Sequence, residues 1–165
     1  MKILLLLLLS LSFTLQANDN YWPEFFKDKL LKNELSKPLA KGKITALYYS
    51  AEWCSPCQRF TPKLNAFTAA NNDVFQYVYI SSDRSLKQQL GCMENKKMIC
   101  SAIAFNSPLK AELTKLLPKR GIPQLLVFAP NGKLISNQGR FLIENYYNSP
   151  QYGDGPGNKH ALFKK

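Results

Sequence analysis

Three stretches of the chain are apolar on both faces: ITALYYSA at 44–51, VFQYVYIS at 74–81 and PQLLVFAP at 123–130. Strands that read this way belong to a sheet covered on both sides, typically a largely parallel one. Between the first two the period changes. Phe60, Leu64 and Phe67 fall at i, i+4 and i+7, on one face of a helix that follows residue 57. Pro62 lies inside it and predicts a kink. Residues 85–90 begin another helical stretch, and 91–100 read as polar and irregular. Ser107 and Pro108 supply a capping hydroxyl and a proline for a first helical turn. Leu109, Leu113, Leu116 and Leu117 would form its buried stripe, and Pro118 and Gly121 would end it. Asn131-Gly132 signals a tight turn that returns residues 133–136 against the third strand. Residues 141–148 read as a last helix. Residues 21–35 read as an irregular start followed by a short amphipathic helix, linked by a turn-rich 36–43 to the first strand. This order predicts an α/β fold, a central mixed sheet with a C-terminal antiparallel hairpin, flanked by helices.

The ends of the chain read differently. Lys2 precedes a leucine-rich run, and Leu15-Gln16-Ala17 closes on a small residue, the layout of a secretory signal. The run is shorter than the ~20 apolar residues of a comfortable membrane span. The alternative is an uncleaved anchor. The expected organisation is a signal peptide at 1–17, one domain at 18–148 and a flexible tail at 149–165, rich in glycine, proline and charge and holding His160. The mature chain is then exported, periplasmic or secreted, with no stable membrane insertion after signal removal. The formal net charge is +11, but the lysines are scattered and no nucleic-acid motif accompanies them. That pattern suits a solvated basic surface, and nucleic acid is not an expected partner.

Chemistry concentrates at AEWCSPC, residues 51–57. The predicted elements put Cys54 and Cys57 after a buried strand and at a helix start. Unpaired backbone N–H groups and the positive end of the helix dipole gather there. A thiolate in that position is stabilised and becomes nucleophilic near neutral pH. Cys54 is the expected attacking sulfur, and Cys57, one turn on, can resolve a mixed disulfide. Zinc is a weaker reading. The remaining cysteines, Cys92 and Cys100, are not a close pair, and the single histidine lies in the tail. A purely structural disulfide gains little from closing so short a loop. No metal and no cofactor are expected.

With those residues in view, YYSAEWCSPCQRFTPKL resembles the active-site region of thioredoxin-fold proteins, and FTPKL is similar to the tryparedoxin/nucleoredoxin branch. ISSDR at 80–84 and GIPQLLVFAPNGKLI at 121–135 support the same likeness, which covers roughly residues 40–140. Exported thioredoxin-like proteins of the TlpA type are close structural neighbours. The resemblance implies that Cys54 is the nucleophile and Cys57 the resolving cysteine. It implies substrate-binding roles for Trp53, Pro56, Ile122 and Pro123. Pro123 would be held cis opposite the disulfide, with the Ile122 backbone free to pair with an extended client. It matches Pro62 to the family's helix-kink proline.

Two departures stand out. Ordinary thioredoxins bury an aspartate six residues before the first cysteine, and Tyr48 occupies that place here. Glu52 is then the candidate proton acceptor for Cys57, with water as an alternative. In addition, Met98-Ile99-Cys100 stands where the branch usually has Met-Pro-Trp, with Cys92 eight residues earlier. In an oxidising compartment a structural Cys92–Cys100 disulfide is the expectation. A sharper alternative is a pair that relays electrons to the site.

The functional expectation is therefore an exported thiol–disulfide oxidoreductase, leaning toward reduction through its Ser-Pro dipeptide. Its partners would be disulfide-containing or thiol client proteins and a redox partner for recycling. The rival from another class is a thioredoxin-fold binding module whose disulfide never turns over. A peroxidase would want an arginine and a threonine around one exposed cysteine, and no such set is evident.

Overall fold

The computed structural model describes residues 20–116 and 121–146. The predicted signal peptide, the tail with His160, Leu117 and Pro118 lie outside these residues.

The three apolar stretches form β1 (Ile44–Ser50), β2 (Phe75–Ser81) and β4 (Gln124–Phe128). With β3 (Ser101–Ala102) and β5 (Leu134–Ser136) they make a five-stranded sheet in the order β3-β2-β1-β4-β5. β1 is central. It runs parallel to β2, with Tyr48 opposite Tyr79, and antiparallel to β4, with Tyr48 opposite Leu125. The sheet is therefore mixed, and β4 and β5 form the predicted antiparallel hairpin. Gly132 turns that hairpin at φ +86°. A Cβ there would stand 2.6 Å from the Tyr21 ring, so the position admits only glycine.

Alternation along β1, β2 and β4 splits the core into two layers. Ala46, Tyr48, Tyr77, Tyr79, Leu125 and Val127 point to one face. There they meet Phe60, Leu64 and Phe67 of α2 (Ser55–Ala70), Met93 of α3 (Leu86–Asn95) and Ile143 of α5 (Gly139–Tyr146). Leu47, Tyr49, Val78, Ile80 and Leu126 point the other way, onto Trp22 and Phe26 of α1 (Tyr21–Phe26) and Leu109 and Leu113 of α4 (Leu109–Thr114). Apolar residues on both faces of a strand thus have a helix waiting on each side. The helix α2 continues through Pro62, which leaves the Gln58 carbonyl without its usual N–H partner.

Several boundaries differ from the sequence reading. The first helix is the aromatic run 21–26 itself, because Trp22 and Phe26 at i and i+4 reach the core and the Trp22 indole N–H donates to the Ala129 carbonyl at 2.8 Å. Leu30 and Leu31 do not continue it. They run extended along the sheet margin, with Leu30 bridged to Ile103 and the Leu31 N–H on the Ala102 carbonyl at 2.7 Å. The stretch 91–100 is not wholly irregular. Ser85 caps α3 through the Gln88 N–H, and the helix runs on to Asn95 because Gln89, Cys92 and Met93 form its buried face. In α4 only Leu109 and Leu113 are buried, and Leu116 is exposed. Tight i→i−3 bonds at Lys115 and Leu116 have already ended the helix. The last helix starts at Gly139, earlier than expected. A Cβ at that glycine would lie 2.6 Å from Val127, so its absence lets α5 sit directly on β4.

Phe67 is fully buried and makes edge contacts with Phe75 at 5.0 Å and Tyr146 at 5.1 Å. Phe67→Ala is expected to lower unfolding free energy by about 3–5 kcal/mol, read from urea denaturation followed by fluorescence.

Candidate active site

β1 ends at Ser50 at the C-terminal edge of the parallel strands, where open α/β sheets place their sites. The chain turns through Ala51 to Cys54, which is the N-cap of α2 with extended backbone, φ −89° and ψ 102°. Ser55 and Pro56 open the helix. Proline suits this turn, because the N–H it lacks would have no intrahelical partner. The Cys57 N–H then points back at the Cys54 sulfur at 3.2 Å. This is a capping bond with sulfur in the place of a hydroxyl oxygen. The two cysteines form a disulfide, with Cα atoms 5.2 Å apart.

Most of the predicted residues converge here. Cys54 and Cys57 are buried and share a small apolar cluster with Ala51 and Ile122. The Ile122–Pro123 peptide bond is cis, and the Ile122 carbonyl oxygen lies 3.7 Å from the Cys54 sulfur. Trp53 stands out into solvent, 55% exposed. Pro56 is exposed beside it. On the other side of Pro123 a groove of about 440 Å³ opens toward α5, with Arg140, Phe141 and Glu144 on its wall. Arg140 and Glu144 form an ion pair at 3.2 Å, and Phe141 is exposed.

Glu52 enters the site through its backbone. Its N–H donates to Asp83 at 2.8 Å and its carbonyl accepts from the Gln58 side chain at 2.7 Å. The Glu52 carboxylate lies over Gly91 of α3, and no hydrogen bond joins it to Cys57 among the described residues. Behind the disulfide, Tyr48 occupies the place of the missing aspartate. Thr61 spends its proton on the Cys57 carbonyl at 2.8 Å, so the Tyr48 hydroxyl donates to Thr61 at 2.9 Å. Burial pushes the Tyr48 hydroxyl above its ordinary range, which makes it a hydrogen-bond donor rather than a base.

The expected Cys92–Cys100 disulfide is not formed, and both residues are free, buried thiols. Because α3 extends to Asn95, Cys92 is a helix residue turned into the core, in the same buried cluster as Tyr79. Cys100 precedes β3 and lies in the same buried cluster as Tyr77. Burial raises the Cys92 thiol and pushes Cys100 up to about 12.

Asp83 is the site residue that the sequence reading passed over. It is buried, at the end of a Ser-Ser-Asp run just past β2. Its carboxylate accepts from the Glu52 N–H, the Tyr79 hydroxyl at 2.8 Å and the Ser81 hydroxyl at 2.7 Å. The available signal was position: a polar cluster at the end of a parallel strand next to the one that delivers the cysteines.

The buried thiols make two measurable statements. After reduction of the native chain, iodoacetamide at pH 7 is expected to label Cys54 and to leave Cys92 and Cys100 unmodified until denaturant is added, as mapped by mass spectrometry. The raised Cys100 thiol also sets a sign for stability against pH. Below about pH 9 both folded and unfolded chains keep the proton, and the full contribution is present. From about 9 to about 12 only the unfolded chain has lost it, so stability falls as pH rises. The slope per proton is about 1.4 kcal/mol per pH unit, and Cys100→Ala is expected to flatten it in urea melts between pH 9 and 10.

Residues 42–134 match the family described as thioredoxin-like. The chain is 36% identical over 105 residues to probable nucleoredoxin 1 of Arabidopsis thaliana, covering 62% of this chain and 18% of that protein. It is 29% identical over 134 residues to nucleoredoxin of Homo sapiens, covering 74% and 29%. The chain thus spans less than a third of the length of these curated relatives. Tryparedoxin II from C. fasciculata superposes with a TM-score of 0.64 at 28% identity, over 84% of this chain and 94% of that one. A thioredoxin from Wuchereria bancrofti gives 0.61 at 31%, over 70% and 79%. A two-cysteine helix start facing a cis proline, on this sheet and with these relatives, places the chain in the thioredoxin-like family, in its tryparedoxin/nucleoredoxin-like branch.

Proposed function

We propose that the chain is an exported thiol–disulfide oxidoreductase that reduces disulfides of client proteins. The observation that carries this reading is the Cys57 N–H aimed at the Cys54 sulfur at a helix start. In the reduced state that donor, with the helix dipole, favours the Cys54 thiolate over the thiol. The thiolate attacks one sulfur of the client disulfide. One S–S bond forms, the client's breaks, and the first client thiolate leaves and takes a proton from solvent. Cys57 gives up its proton and attacks the Cys54 sulfur, which expels the second client thiolate. The client gains two electrons and two protons, and the pair is left as the disulfide seen here. A redox partner then restores the dithiol.

Trp53, Ile122 and Pro123 supply an apolar seat on which an extended client segment can lie across the pair, and the groove beside Pro123, walled by Arg140, Phe141 and Glu144, adds polar contacts at its edge. Tryparedoxin II has been solved complexed with glutathionylspermidine. By that likeness, small thiol conjugates of glutathione are a second client class. The leucine-rich start supports export with cleavage after Ala17, which leaves a mature chain that begins at Asn18.

Insulin reduction with dithiothreitol as donor tests the reaction. The full chain is expected to accelerate precipitation of the insulin B chain, Cys54→Ser to return the rate to background, and Cys57→Ser to accumulate mixed disulfides with clients. A wild-type rate equal to background would leave a binding module with a permanent disulfide. Trp53→Ala is expected to lower kcat/KM about tenfold with most of the change in KM, since it removes an exposed aromatic anchor. N-terminal sequencing of the chain recovered from the periplasm or medium of an expressing cell is expected to begin at Asn18.

A further inference from the structure

The loop that carries Trp53 and Cys54 has few anchors of its own. Ala51 and Cys54 close it with one backbone bond at 3.3 Å, and the Gln58 side chain holds the Glu52 carbonyl from the helix side. The remaining polar anchor comes from another strand. Asp83 Oδ1 accepts the Glu52 N–H across a sequence separation of 31 residues. We propose that Asp83 is the positioning residue for the catalytic loop: its carboxylate fixes the Glu52 amide, and through it the Cys54 sulfur, at the mouth of α2.

Three features make the tether stiff. First, Asp83 is 5% exposed, so water competes poorly for either oxygen. Second, Oδ2 takes two donors, the hydroxyls of Tyr79 and Ser81, and the Asp83 N–H returns a bond to the Ser81 hydroxyl at 3.0 Å. The carboxylate therefore has no freedom to rotate away from Glu52. Third, the strands are locked beside it. Ser50 pairs with Ser81, and the Ser82 N–H donates to the Ser50 carbonyl at 2.8 Å. The anchor and the loop thus leave neighbouring strands at the same level. Other charged or titratable groups around this cluster are Lys110, from the opposite layer, Lys96 and Cys92 of the α3 side, and Glu52 itself.

Cys54 is held by helix α2, by residues 51–53 and by the Ile122 carbonyl opposite, and of these the 51–53 segment is the one that Asp83 fixes. Releasing the Glu52 amide lets the sulfur drift from the Cys57 N–H. The thiolate loses a charge-assisted donor, and Trp53 is presented to clients in a range of poses. The amide needs an acceptor and not a charge, so asparagine should substitute, with its carbonyl oxygen accepting from the Glu52 N–H and its NH2 group donating to the oxygens of the Tyr79 and Ser81 hydroxyls, whose protons turn away.

This inference rests on the oxidoreductase reading for its kinetic consequence only. The test uses the full reduced chain and follows the rate of Cys54 alkylation by iodoacetamide against pH, beside kcat/KM for insulin. Asp83→Ala is expected to raise the pH of half-maximal alkylation by about one unit and to lower kcat/KM about tenfold at pH 7. Asp83→Asn is expected to stay within about twofold of wild type. Coincident profiles for Asp83→Ala and wild type overturn the proposal, even if the melting temperature falls. Equal shifts in the alanine and asparagine variants overturn it too, since charge rather than the tether would then be responsible. Where Asp83→Ala does not fold, Ser81→Ala takes its place, with a shift in the same direction expected and none overturning the proposal. If wild type fails to reduce insulin, the functional reading falls, while the alkylation profiles still decide the tether.

Discussion

One hydrogen bond organises the chemistry of this molecule, from the Cys57 amide to the Cys54 sulfur across the first turn of α2. A helix start has donors to spare, and most chains satisfy them with a serine or aspartate oxygen. Here a sulfur takes that place. In the proposed reaction the same geometry that finishes the helix would favour negative charge on that sulfur, so that folding and reactivity would share one contact. The bond demands that the incoming loop arrive at a fixed height above the helix. That height is set by β1, by the neighbouring end of β2 and by the Ile122 carbonyl opposite.

The sheet is what holds these parts in register. β1 is buried on both faces, and its alternating side chains are split between α2, α3 and α5 on one side and α1 and α4 on the other. Tyrosines do much of the filling. Tyr48, Tyr49, Tyr77 and Tyr79 are all buried, and each hydroxyl finds a partner: Thr61, the Leu113 carbonyl, Asn65 and Asp83. An aromatic body with a satisfied polar tip gives a core that is apolar in bulk yet directional at chosen points. Three of those points, at Tyr48, Tyr77 and Tyr79, sit in the layer that also holds the two free thiols, and the fourth, at Tyr49, ties the opposite layer to α4.

The strands and the place of the Cys54–Cys57 pair at a helix start were legible because their signals are local: unbroken apolar runs, a change of period, and two cysteines three apart behind a tryptophan. Pro123 was legible through its resemblance to a known family. What escaped depends on partners distant in sequence. Cys92 and Cys100 looked like a loop disulfide because Gly91 and the polar residues after it read as a helix end, whereas α3 continues and turns Cys92 inward. Leu30 and Leu31 fell in the stretch expected to hold a short amphipathic helix, but the margin of β3 claimed their backbone. Asp83 gave only a polar triplet after a strand, and its role appears once the Glu52 amide is seen facing it.

That same segment at Leu30 and Leu31 gives the sheet two unlike borders. On the β3 side the backbone donors are already engaged by the chain's own N-terminal segment, so a foreign strand meets no open ladder. On the other side β5 offers three residues with Leu134 half out in water. Any strand-to-strand self-association would have to start there, and so would be one-sided and end at a pair instead of propagating into a fibre.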